Sequence, residues 1–238
     1  MKSQLVKQAI VAGMVLQLLA GAVTRADNFY ADSGNWGDDI WYQDSGKTTP
    51  YPAGVRPGGA DDVFIQGETV AYDLSDSTVN SIELSSSAHL GYDLVDGSAV
   101  SRVLRLNSGV TVGTSSYDTS ALYVGGTFAG ESVEAGDNLS LIFENTGADI
   151  DGSYRSSIFI EGFSDSTRNV RIAGTNSSTF GAIDYNGGRD DSYGHGAYIK
   201  NADLQYLSKV YIAQAGANNE ISGSYLRDFA PGSYAINA

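Results

Sequence analysis

The chain has 238 residues, 28 of them acidic and 14 basic, for a net charge of −14; it has 29 Gly, 4 Pro and no Cys. Without cysteine there is no disulfide scaffold, thiolate metal site, iron–sulfur cluster or cysteine nucleophile, and the negative charge argues against a nucleic-acid partner, whose phosphates need a concentrated basic face. A hydrophobic content of 42%, with 15 Tyr and 8 Phe, is too rich for a disordered chain, so a folded, acidic, glycine-rich protein is expected.

The first 26 residues read as an address. Lys2 and Lys7 precede an apolar run from Ala9 to Ala20, interrupted only by Gln17, and small residues follow in Ala20-Gly21-Ala22 and Thr24-Arg25-Ala26. This order of charge, apolar run and small-residue cleavage pattern predicts a secretory signal peptide over 1–26. About a dozen apolar residues is too short to span a bilayer, which leaves an uncleaved anchor as the weaker alternative. Cleavage after Ala26 would remove Lys2, Lys7 and Arg25, leaving 11 basic against 28 acidic residues and a net charge of −17. No later stretch is apolar enough to cross a membrane. The mature chain is therefore expected to lack a transmembrane segment and to be secreted or held at the cell surface, with the periplasm as another destination.

From residue 27 onward the chain breaks into short apolar or alternating runs bounded by Gly, Ser, Asn and Asp. They include Asp62–Ile65, Thr69–Leu74, Val79–Leu84, Arg102–Leu106, Ala121–Val124 and Leu139–Phe143. Such runs, rich in Val, Ile, Leu and Tyr, predict strands. Their spacing of roughly eight to twelve residues fits a sandwich, a barrel or a solenoid. Residues 202–214 are ambiguous, because Leu204, Leu207 and Tyr211 have helical spacing, so a short helix competes there.

The C-terminal half favours a solenoid. Laying Ala197–Ile212 over Asn219–Ile236 puts Ile199 on Ile221, Leu204 on Leu226, Leu207 on Phe229 and Ile212 on Ile236. Going backwards, Ile172 maps to Ile199, Phe180 to Leu207 and Ile183 to Ile212. A period in the low twenties, with three short strands per period, is what one coil of a parallel β-helix requires. Asn186–Gly196, NGGRDDSYGHG, is then a polar insertion between strands, and such insertions commonly build a binding face.

Near the N-terminal end, Trp36 and Trp41 precede a loop with Pro50, Pro52 and Pro57. The segment Pro57-Gly-Gly-Ala-Asp-Asp-Val-Phe-Ile-Gln-Gly-Glu-Thr-Val70 follows, and Leu104-Arg-Leu-Asn-Ser-Gly-Val-Thr-Val112 repeats its style. This stretch resembles the G-eight domain of cell-surface proteins and the opening coils of large exported bacterial passengers. The resemblance covers about a third of the chain. It implies an all-β, right-handed parallel β-helix outside the cell, acting on or binding polysaccharide. The expected division is a signal peptide over 1–26, G-eight-like β coils over 27–135 and parallel β-helix coils over 136–238. The C-terminus has neither a translocator barrel nor a sorting tail, and Gly232–Ala238 reads as the start of another coil, so the chain is expected to be a piece of a longer protein.

Candidate chemistry concentrates in Arg189, Asp190, Asp191, Tyr193, His195 and Lys200. Paired carboxylates beside a histidine suit glycoside hydrolysis, and a basic side chain could instead abstract the proton next to a uronic-acid carboxylate. In an enzyme the catalytic set is Asp190, Asp191, His195 and Lys200. In a binding module Arg189, Tyr193 and Tyr198 contact the ligand, and Tyr206 and Tyr211 extend a sugar-stacking surface. Asp190-Asp191, Gly194-His195-Gly196 and Tyr198-Ile199-Lys200 have a superficial likeness to β-helical polygalacturonases. In that family the three pieces lie on different coils, whereas here they fall within eleven residues, so stacking cannot assemble them in that way. No cofactor is implied. Calcium is the one ion that Asp38, Asp39, Asp61, Asp62, Asp73, Asp149 and Asp151 invite, although no EF-hand spacing or nonapeptide array occurs. His89, isolated in an apolar strand, reads as structural. Two functions follow: a non-catalytic extracellular module for surface adhesion or glycan binding, or a polysaccharide lyase or hydrolase working on an acidic glycan through the 186–200 face.

Overall fold

The computed structural model describes residues 26–95, 97–187, 196–212, 219–231 and 234–237. The described chain is all-β, and most of its strands stack in three columns of parallel neighbours. The first column contains Asn28–Ala31, Asp62–Gln66, residues 81–85, residues 109–112, Asp149–Tyr154, Gly181–Gly187, Leu207–Ile212 and Tyr234–Asn237. The second contains Gly34–Asn35, Thr69–Tyr72, His89–Tyr92, Ala121–Gly125, Ser157–Glu161, Ala197–Lys200 and Glu220–Ser222. The third contains residues 76–79, residues 101–106, Asn138–Phe143, Val170–Gly174, Ala202–Gln205 and Tyr225–Arg227. From Asp62 onward the chain visits first, second and third column in that order, again and again, a layout consistent with a β-solenoid. Strands after residue 135 continue the same columns that the strands before it begin.

Alternation of apolar and polar residues explains why each column has a buried side. In the first column Val63, Ile82, Val110, Ile150, Ile183 and Val210 are register neighbours, each nearly or fully buried. In the third, Leu104, Leu141, Ile172 and Leu204 form the same kind of ladder, with the partly buried Leu226 packed at its end. Val124, Ile160, Ile199 and Ile221 do so in the second. Burying each such side chain is worth about 1.5–3 kcal/mol, so the inward rows supply most of the cohesion. At the N-terminal end Trp36, fully buried, contacts Trp41 (4.9 Å) and Tyr72 (5.5 Å) edge-on, and Trp41 Nε1 donates to the Trp36 carbonyl at 3.1 Å. The antiparallel strand Trp41–Tyr42 lies against Asn28–Ala31.

The stacking corrects several of the sequence alignments. Ile199 on Ile221 and Leu204 on Leu226 are register pairs. Three others are displaced: Ile172 faces Leu204, Ile183 faces Val210 while Tyr185 faces Ile212, and Gly181 rather than Phe180 faces Leu207. Tyr211 faces Asn237, which displaces the match of Ile212 to Ile236. A single offset fails because backbone ladders set the register while the loops between columns differ in length. The competing helix over 202–214 is also not formed: Ala202–Gln205 and Leu207–Ile212 are strands of different columns, separated by Tyr206 in the left-handed conformation (φ 54°).

Candidate functional site

Arg189, Asp190, Asp191, Tyr193 and His195 lie outside the described residues. In sequence they fall between the strands Gly181–Gly187 and Ala197–Lys200. Lys200 and Tyr198 are described. Lys200 Nζ lies 3.0 Å from Glu220 and 3.3 Å from Glu161, one carboxylate on each neighbouring coil, and 5.3 Å from the centre of the Tyr198 ring. The hydrogen bond to Glu220, with the Glu161 charge behind it, raises the ammonium above its ordinary pKa. A lysine held in this way is a poor general base, since proton abstraction near neutral pH calls for a lowered value.

Tyr198 belongs to a row of rings on the outer face of the second column. Tyr123, Phe159 and Tyr198 occupy the same register position on successive strands. Their rings stack nearly parallel, Tyr123 on Phe159 at 4.6 Å and Phe159 on Tyr198 at 5.1 Å. The distances match the spacing of adjacent strands, so the column itself sets the stack. Burial raises the phenol pKa of both tyrosines. His89 meets Tyr123 edge-on at 6.0 Å, and burial lowers its pKa, in keeping with a structural place. Tyr206 and Tyr211 do not join this surface. Tyr206 is at the turn between the third and first columns, and Tyr211 is on the first, where Lys209 lies 4.4 Å over its ring.

Most of the aspartates named for calcium are engaged in other ways. Asp39 pairs with Arg56 (2.8 Å) and accepts the Gly54 amide; Asp61 accepts the amides of Asp27 and Gly58; Asp62 binds Asn80 and Ser81; Asp73 accepts the Gly37 amide. Asp149 and Asp151 share the first column's outer face with Asp184, and Asp151 and Asp184 are direct register neighbours. Burial, then mutual repulsion, raises the pKa of Asp149 and Asp151, while Lys209 Nζ lies 2.5 Å from Asp184. Among the described residues, no group of three or more His, Cys, Asp or Glu is arranged to hold a metal ion.

A cleft of about 410 Å3 on the third column's outer face escaped the sequence reading. Asp203, Tyr225 and Arg227 form one side, and Ser166, Thr167 and Arg168, from the loop two coils earlier, form the other. Tyr225 is 57% exposed, and the Arg168 guanidinium lies 3.9 Å over its ring. The sequence held one faint sign of this, the polar-aromatic-polar run Gly223-Ser-Tyr-Leu-Arg-Asp228; only the fold brings Arg168 to it. No family model, curated protein or solved structure matches this chain.

Proposed function

We propose that the chain is a non-catalytic, exported module of the G-eight or passenger-opening kind. In this reading it is a right-handed parallel β-helix that binds polysaccharide or a cell-surface glycan along its outer faces. One observation carries it: outward side chains recur in straight rows at the strand spacing, as in Tyr123, Phe159 and Tyr198. The ladder core fixes those rows rigidly, so an extended polymer lying across the coils meets repeated, pre-positioned contacts at little ordering cost. The saturated ion pairing of Lys200 favours binding over lyase chemistry, because it removes the most basic side chain of the proposed catalytic set from service.

The test is affinity electrophoresis of the purified protein through gels containing neutral or acidic polysaccharides, with product assays run in parallel. Retardation by at least one polysaccharide, with neither unsaturated ends nor new reducing ends, is expected. Release of either product would replace the module with an enzyme, and free migration in every gel would remove the glycan reading.

A further inference from the structure

The charges on the third column's outer face carry a more specific inference. Arg105, Arg171 and Arg227 all project outward from its strands, in a chain with twice as many acidic as basic residues. Two have a carboxylate partner: Arg105 pairs with Asp76 and Glu144, and Arg227 with Asp203. Arg171 donates from Nη2 to Gln205 at 2.8 Å, while its Nε is buried without a hydrogen-bond partner. Arg168 reaches the same face from its loop. Its Nε donates to the Gly223 carbonyl at 2.8 Å and its guanidinium rests on Tyr225, while no described carboxylate lies within ion-pair distance. Arg168 thus lines the cleft with neither Nη group in a hydrogen bond to a described residue.

We propose that the Arg168–Tyr225 cleft binds a carboxylate-bearing sugar unit. The Arg168 Nη groups form a planar fork that matches two carboxylate oxygens. The part of the exposed Tyr225 ring that Arg168 leaves uncovered supports the sugar's apolar C–H groups. Arg227 is fixed by both oxygens of Asp203, Nε to Oδ1 at 2.8 Å and Nη2 to Oδ2 at 2.5 Å, which leaves its Nη1 as a further donor at the cleft wall. Ser166 and Thr167 line the opposite wall, their hydroxyls each 3.0 Å from Ser164 Oγ. The volume falls within the range of small-ligand pockets. Asp228, whose charge also acts on Arg227, accepts Gln205 Nε2 at 2.7 Å. The proposal rests on the glycan-binding reading above and adds a site and a ligand class.

The experiment uses the full chain and a fluorescein end-labelled galacturonate oligomer, followed by anisotropy, beside the same oligomer with its carboxyl groups reduced to alcohols. The wild type should bind the acidic form at least about tenfold more tightly than the reduced one. R168Q and Y225A should each lose about tenfold in affinity for the acidic form, and R105Q, on the same face but away from the cleft, should keep it. Because Arg168 also holds Gly223, thermal melts of R168Q are run alongside; Y225A leaves that hydrogen bond in place and tests the cleft independently. Unchanged binding in both R168Q and Y225A would overturn the site while the glycan reading stands. Equal affinity for acidic and reduced oligomers would overturn the ligand class. Binding to no saccharide of the panel would overturn both.

Discussion

Asp118 carries more of the local structure than its loop position suggests. It is 2% exposed and accepts the amides of Ser86, Ser87, Thr114 and Ser120, at 2.9–3.0 Å, together with the Ser120 hydroxyl. Ser86 and Ser87 both take the left-handed conformation (φ 59° and 66°), which costs a residue with a Cβ and which the two hydrogen bonds to Asp118 hold in place. Burial alone would raise the carboxyl pKa, but the hydrogen bonds from Ser120, Thr114 and Ser87 outweigh it and leave it lowered. Asp118→Ala is expected to destabilise by about 3 kcal/mol, read by urea unfolding at neutral pH, because four amides, that of Ser120 buried and the others partly so, lose their acceptor. A lowered folded-state pKa means the stabilisation is complete above the unfolded carboxylate's pKa and is lost as pH falls through the folded one. The gap between wild type and variant should therefore close on acidification. Gly91 makes a second residue-scale case. A Cβ there would lie 2.2 Å from the Phe128 ring, which folds over it from the hairpin of Thr127–Phe128 and Glu131–Ser132. Gly91→Ala should expel that ring at a cost of up to about 2 kcal/mol. If so, adding Gly91→Ala to Phe128→Ala costs little more; additive losses in the double variant would refute the contact.

Within a column, what matters is which residues the register sets side by side. Asp151 directly faces Asp184, and like charges in that position destabilise a sheet. The raised pKa of Asp151 has a definite sign: the folded state holds the proton more tightly, so the penalty is complete at neutral pH and absent once both states are protonated. Asp151→Asn should raise neutral-pH stability by about 0.5 kcal/mol, the gain disappearing in acid, while Asp184 keeps Lys209. A variant that melts below the wild type at neutral pH would contradict this. The second column's ladder orders another pair of variants. Ile199 is fully buried, whereas Ile221 is only partly buried on the next strand. Ile199→Asp should cost several kcal/mol and abolish cooperative folding, and Ile221→Asp clearly less, since water reaches part of its charge. Equal melting temperatures for wild type and Ile221→Asp would remove Ile221 from the ladder.

At the scale of the whole molecule, each coil contacts chiefly the coils on either side, so stability is expected to vary along the axis. The N-terminal end is covered by Trp36 and Trp41, whereas Glu220–Ser222 and Tyr225–Arg227 keep exposed or partly exposed side chains. Hydrogen exchange should therefore be slowest at Leu104, Leu141 and Ile172 and faster by orders of magnitude at 220–227. Uniform protection along the columns would mean one cooperative unit instead. The same dependence on neighbours explains why the candidate cleft belongs to no single segment: Arg168, Asp203 and Tyr225 come from three successive coils.

Much of the local architecture was legible in the residues themselves. Leu104 and Leu106 flank Arg105, Leu139 and Leu141 flank Ser140, and a period of two can bury one side only as strands. The pairs Ile199–Ile221 and Leu204–Leu226 could be aligned with one offset because the chain between the second and third columns is equally long in both coils. The earlier pairs could not, because ladder hydrogen bonding is indifferent to how many residues a corner loop spends between two strands. The runs Leu122-Tyr-Val124, Ile158-Phe-Ile160 and Ala197-Tyr-Ile199 each hold a central aromatic residue, yet only their stacking turns them into one row. Composition and alternation thus determine that this chain makes strands with one apolar side. Tertiary structure alone decided which outward groups meet, because those meetings depend on register between segments far apart in the chain.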